Sequence, residues 1–189
     1  MSLHTISVLV EDRPGVLARV ANLFARRGFN IHSLAVGTTE QPGRSRMTIV
    51  VDVQRKPLEQ VEKQLHKLLN VLKVLELEPT AAVERELALV KVTAAPGERG
   101  AVSEIADIFR ARIVDVSDST LTVEATGAPD KIEAMLALLE PHGIVELART
   151  GRIALGRGSA AIGGRRLGRV NGAAANGKAK GARAPARTA

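Results

Sequence analysis

The chain has 189 residues, no cysteine, and 45% hydrophobic against 25% charged residues. The missing cysteine excludes disulfides, thiolate metal sites and cysteine nucleophiles, and no apolar run approaches the ~20 residues of a membrane-spanning helix. The net charge of +7 is unevenly placed: residues 1–150 hold 18 Lys and Arg against 20 Asp and Glu, whereas residues 151–189 hold nine basic residues and no acidic one.

The N-terminal segment MSLHTISVLVED has neither the basic region nor the cleavage pattern of a signal peptide, so a soluble cytoplasmic protein is expected. Residues 4–10 alternate, with Ile6, Val8 and Val10 on one face, as a half-buried strand requires. A turn, Asp12-Arg13-Pro14-Gly15, follows. Asp12 is its expected N-cap, and Pro14 suits a first helical turn, where its missing N–H would have no partner anyway. Val16, Leu17, Val20, Leu23 and Phe24 recur at helical spacing until Gly28 stops the helix. Residues 31–36 and 47–53 read as strands around the loop TTEQPGR, with Met47, Ile49, Val51 and Val53 sharing a face. Pro57 opens a second helix whose apolar stripe is Leu58, Val61, Leu65, Leu68 and Leu69. A strand at 71–77 completes a βαββαβ order.

After Glu78-Pro79-Thr80 the order recurs. Residues 87–93 read as a strand and 98–112 as a helix carrying Val102, Ile105, Ile108 and Phe109. Strands at 113–116 and 121–125, a helix at 129–139 and a last strand at 144–148 follow. The expected fold is α+β: two ferredoxin-like βαββαβ domains in tandem, 1–79 and 80–158, each with helices on an antiparallel sheet. At about 75 residues apiece, one core stabilises each unit only modestly, so sheet-edge pairing between chains, and hence a homodimer, is expected. Residues 159–189 are rich in Gly and Ala, basic and without periodicity. Such a segment buries too little apolar area to offset its ordering entropy, and a disordered, solvated tail is expected.

The inventory of reactive groups is sparse. His4, His32, His66 and His142 lack the spacing of a metal pair, and no P-loop, nucleophile elbow or dinucleotide fingerprint is present. Glu59 and Glu62 share a helix turn with Lys63 and Lys67 beside them, which reads as a salt-laced outer face. Tyr and Trp are absent and the three Phe lie on or next to helices, so the strand faces carry no base-stacking platform and specific nucleic-acid binding is not expected. A sensor fits these residues better than a catalyst.

Gly15 stands beside Pro14 at a helix start, where a missing side chain lets a small anion approach backbone N–H groups. A turn glycine serving geometry alone is the competing reading. Asn30 offers one acceptor and two donors at the mouth of the second strand, or else closes the Gly28-Phe29-Asn30 turn. Asp12 caps the helix or attracts an ammonium. Together with Val16, Ile31 and Leu34 these residues are expected to form a small polar notch, edged by apolar groups, for a free amino acid with an aliphatic side chain.

EDRPGVLARVANLFARRGFNI resembles the signature of ACT domains, modules that bind amino acids at dimer interfaces. IHSLAVG, SRMTIVV, EKQLHKLLNVLKV, DIFRARIVDV and VELARTGRIALGRG extend the likeness, over roughly residues 1–158, to the small regulatory subunit of acetolactate synthase (acetohydroxyacid synthase). That resemblance implies a homodimer, paired through its ACT domains, that activates a separate catalytic large subunit and confers feedback inhibition by valine, and in some members by leucine or isoleucine. It implies no catalytic group, metal or cofactor in this chain, the thiamine diphosphate, Mg²⁺ and FAD belonging to the large subunit. Carried over by position, Asp12, Gly15, Val16, Asn30 and Ile31 would face the effector, with Asp12 standing where many members have Asn. A free-standing amino-acid-responsive regulator of transcription is the other reading, weakened by the lack of a helix-turn-helix.

Overall fold

Alternating strands and striped helices assemble two antiparallel sheets, each covered on one face by two helices. The computed structural model describes residues 3–52, 58–158 and 162. In the first unit, β1 (Leu3–Glu11), α1 (Val16–Arg27), β2 (Asn30–Thr38), β3 (Arg44–Asp52), α2 (Leu58–Leu65) and β4 (Val71–Leu77) give the sheet order β2-β3-β1-β4. The register sets Ile6 opposite Ile49 and Val8 opposite Met47, and Val20, Phe24, Val61 and Leu65 close over them as one core. The second unit repeats this with β5 (Ala82–Thr93), α3 (Arg99–Ile108), β6 (Arg112–Val116), β7 (Thr120–Gly127), α4 (Pro129–Leu139) and β8 (Ile144–Arg149), in the order β6-β7-β5-β8. Its core joins Val90, Val92, Leu121 and Val123 to Val102, Ile132, Met135 and Leu139. The repeated βαββαβ order expected from periodicity is the order found.

Several boundaries differ, for identifiable reasons. Gly15 adopts φ +80°, ψ −4°, so the helix begins at Val16 and Asp12 does not cap it. Residue Leu69 follows the stripe by spacing, but α2 ends at Leu65 and Leu69 is 95% exposed. Helix α3 ends at Ile108 because Arg110 turns left-handed at φ +50° and the Ala111 N–H returns to the Ala106 carbonyl at 2.8 Å. The expected roles of Val53 and Pro57 lie outside the described residues, as does the expected tail except for Ile162, which is buried.

Two features went unread in the sequence. Strand β5 begins at Ala82 rather than 87, and a short ninth strand, β9 (Ile153–Gly156), pairs antiparallel with its first residues. This ribbon lies against the first sheet on the side away from its helices, where Leu77, Ala82 and Ala154 form a small buried cluster. Side chains alternate along a strand, so Thr5, Ser7 and Leu9 point away from the helical core; they are buried nonetheless.

One polar cluster lies deep in the second unit. The Glu86 side chain is only 3% exposed, and Arg149 donates to it and, at 2.7 Å, to Glu133 on α4. Burial works against the guanidinium charge, but the bonds to Glu133 and Glu86 outweigh it and raise the Arg149 pKa above its ordinary value. Removing Arg149 would leave a buried carboxylate without its counter-charge, a change that costs about 3 kcal/mol in comparable sites. Arg149→Ala is therefore expected to lower the melting temperature by about 10 °C, measured by calorimetry. A melting temperature within 2–3 °C of wild type, on the order of 1 kcal/mol, would show that Glu86 finds another partner.

Candidate functional site

The helix start leaves backbone N–H groups open. The Arg19 N–H bonds the Gly15 carbonyl at 3.1 Å, which leaves the N–H groups of Leu17 and Ala18 without intrahelical acceptors. No side chain caps this end and no acid occupies the first turn. A Cβ placed on Gly15 would meet nothing within 4 Å, so the approach to those N–H groups is open. Val16 is buried in the core, and its N–H bonds the Arg13 carbonyl at 3.4 Å. Asp12 is exposed, and its N–H bonds the Gly43 carbonyl at 2.9 Å, tying the β1–α1 turn to the loop between β2 and β3.

Asn30 and Ile31 lie elsewhere in the chain's own fold. Exposed Asn30 opens β2 opposite Asp52, the last residue of β3, whereas the turn at Asp12 follows Glu11, which pairs with Arg44 at the first residue of β3. Helix α1 separates the two ends by about 18 Å of axis. Adjacency along the sequence suggested that the helix start faces the strand start, but the crossover carries them to opposite ends of the sheet. The five candidate residues thus fall into two separate groups: Asp12, Gly15 and Val16 at one end, Asn30 and half-buried Ile31 at the other. They are joined by β2, whose other side is a sheet edge.

Clefts open where the two units meet. One, of about 430 Å³, lies between β2–β3 and the β5–β9 ribbon, with Ala35, Arg46, Thr48, Arg85 and Leu155 in its walls. Another, of about 370 Å³, is lined by His32, Ser33, Glu86, Arg149, Gly151 and Arg152. None of Asp12, Gly15, Val16, Asn30 and Ile31 lines either. Ser33, Glu84, Gly151 and Arg152, which bridge the units, escaped sequence reasoning. The one available signal was a glycine between polar residues, just past the last expected strand. Among the described residues no group of three or more His, Asp or Glu is placed to hold a metal ion, and no helix is long and apolar enough to cross a membrane.

Two family models match: an AHAS small subunit-like ACT domain over residues 6–73, and the small subunit of acetolactate synthase over residues 85–158. The chain is 59% identical over 160 residues to the acetolactate synthase small subunit of Mycolicibacterium smegmatis, covering 85% of this chain and 94% of that one. It is 61% identical over 160 residues to the corresponding protein of Mycobacterium leprae, covering 85% and 95%. Among solved structures, the acetolactate synthase small subunit from Thermotoga maritima superposes with a TM-score of 0.77 at 44% identity, covering 85% of this chain and all of that one.

Proposed function

The chain belongs to the family of acetolactate synthase small subunits, and on that premise we propose that it is the regulatory partner of a separate catalytic subunit, which it activates in the cytoplasm and makes sensitive to a branched-chain amino acid: valine, leucine or isoleucine. The observation that carries this reading is the open, uncapped helix start at Gly15, which suits a small anion. A free amino acid needs a carboxylate seat, an ammonium partner and an apolar wall. The first is at Gly15, and Asp12, Asn30 and Ile31 suit the others.

Those pieces meet when two copies pair through β2. This strand is a nine-residue edge, and Val36, Gly37 and Thr38 toward its end are exposed. An open edge of that length is a template for another strand. Pairing across a two-fold axis is antiparallel, so the Asn30 end of one copy lies beside the Thr38 end of the other. The Thr38 end is where the Asp12–Gly43 bond holds the Gly15 turn. Two composite sites result, each taking its carboxylate seat from one copy and its Asn30 from the other. Residues 1–79 thereby serve as the effector-binding domain and 80–158 as a second domain that responds to it, while thiamine diphosphate, Mg²⁺ and FAD stay with the catalytic subunit.

The test is direct. Adding the full chain to its catalytic subunit should raise the rate of acetolactate formation severalfold, and valine should then suppress that rate. A catalytic subunit whose rate and valine response do not change on adding the chain would refute the regulatory reading.

A further inference from the structure

The notch around Asn30 lies in the first unit, and something must carry its state to the second. Strand β2 meets the second unit at a well-defined hydrogen bond. The Arg152 N–H donates to Ser33 Oγ at 2.8 Å. Next to it Gly151 sits at φ +79°, where a Cβ would stand 2.9 Å from Ser33 Oγ and 3.1 Å from the Leu34 carbonyl oxygen. Only glycine permits both that backbone conformation and that approach.

The contact does not end at the backbone. The Arg152 guanidinium lies 3.8 Å from Glu84 at the start of β5, and both side chains are sheltered, at 16% and 15% exposure. Glu84 in turn accepts a bond from Thr5 Oγ1 on β1 at 2.6 Å. On the other side, Thr150 exchanges bonds with Leu87, and Arg149 holds Glu86 and Glu133 of α4. The four residues 149–152 thus grip β2 at one end and β5 with α4 at the other. Ser33 is three residues from Asn30, and the β2–β3 register shifts between Ile31 and Ser33. A bulge of this kind is where a strand bends most readily. The joint also borders the 370 Å³ cleft rather than close-packed core, which leaves it room to move.

We propose that Ser33, Gly151 and Arg152 form the joint through which the second unit senses whether the Asn30 notch is filled. This rests on the regulatory reading above and names the residues that couple its two halves. Occupancy that shifts the bulged segment of β2 changes the Ser33–Arg152 contact, and residues 149–152 pass the change to β5 and α4. Spatial continuity alone does not establish coupling, so the joint is assigned by a separation of binding from response.

Two variants test it in the full chain. Ser33→Ala removes the acceptor with little change in volume, and Gly151→Ala forces the two strands of contact apart. Valine affinity, measured by calorimetry on the chain alone, should stay within twofold of wild type in Ser33→Ala. Activation of the catalytic subunit should be unchanged, while the valine concentration giving half-inhibition should rise at least fivefold, and further in Gly151→Ala. Amide hydrogen exchange supplies a readout without the catalytic subunit: valine should alter exchange across residues 149–156 at least threefold in wild type, and not in Ser33→Ala. Wild-type inhibition in both variants, affinity falling in step with inhibition, or a valine effect on exchange that survives Ser33→Ala would each overturn the joint. Should Gly151→Ala fail to fold, Ser33→Ala decides alone. A wild-type chain with valine-dependent exchange at 149–156 but no effect on the catalytic subunit would sink the regulatory reading and leave the joint standing.

Discussion

Gly15→Asp should yield a chain that still activates the catalytic subunit and no longer confers inhibition by valine. The substitution places a carboxylate at the helix start, the proposed seat of the effector carboxylate. Like charges ~4 Å apart repel by ~1 kcal/mol even at bulk-water screening, and by several where water is partly excluded. At ~1.4 kcal/mol per decade, valine affinity should fall by at least several-fold and by on the order of a hundredfold in a sheltered site. The fold should survive, because the position is open to a Cβ and Asp is among the residues that tolerate left-handed backbone. Gly15→Asn is the control: nearly the same bulk, equal tolerance of φ +80° and no charge, so the difference between the two variants isolates the repulsion. Calorimetry and inhibition curves on both variants check this. Undiminished valine inhibition by Gly15→Asp would remove Gly15 from the site, and loss of activation along with inhibition would assign it to folding.

Mixing two inactive sensors should restore one. Gly15→Asp and Asn30→Ala each damage both composite sites of their own dimer, by opposite halves. In a mixed dimer, one site combines the two lesions, while the other takes an intact Gly15 from the Asn30 variant and an intact Asn30 from the Gly15 variant. Random exchange gives half mixed dimers, so about a quarter of all sites should bind valine with wild-type affinity, where each parent alone binds it only with weakened affinity. Calorimetric stoichiometry after subunit exchange reads this number. A mixture that binds no better than its parents would falsify the two-copy site and return the notch to a single chain.

Strand and helix order was legible because each apolar stripe repeats at its own period. Ile6, Val8 and Val10 could only be a strand face, and Val16, Val20 and Phe24 only a helix face. The first five residues of β5 were not legible, since Glu84, Arg85 and Glu86 read as a solvated stretch. Glu84 and Glu86 are sheltered by Arg152 and Arg149, more than 60 residues away, and no local pattern announces such pairs. Strand β9 is four residues long, too short for alternation to mark. The candidate site differs. Candidate residues could be named, yet their mutual position could not be read, because chain adjacency says nothing about which end of a sheet a twelve-residue helix returns to. The αL glycine is the instructive case: Asp12 and Pro14 carry strong helix-start signals, and Gly15 overrides both by turning φ positive.

The β5–β9 ribbon bears on how the polypeptide is born. A chain that has reached Leu77 holds every strand of the first sheet, and that sheet can form. The cover over Thr5, Ser7 and Leu9 includes residues 153–156, nearly eighty positions later. At roughly 5–20 residues per second, the ribosome needs about 4–16 s to supply them. For that interval the nascent first unit carries a bare, partly apolar sheet face, bordered by an unpaired β2 edge. Both are surfaces that favour association between unfinished chains on neighbouring ribosomes. Synthesis that stalls between residues 77 and 153 prolongs this exposure, so the last strand, the shortest among the described residues, sets when that sheet face stops being adhesive.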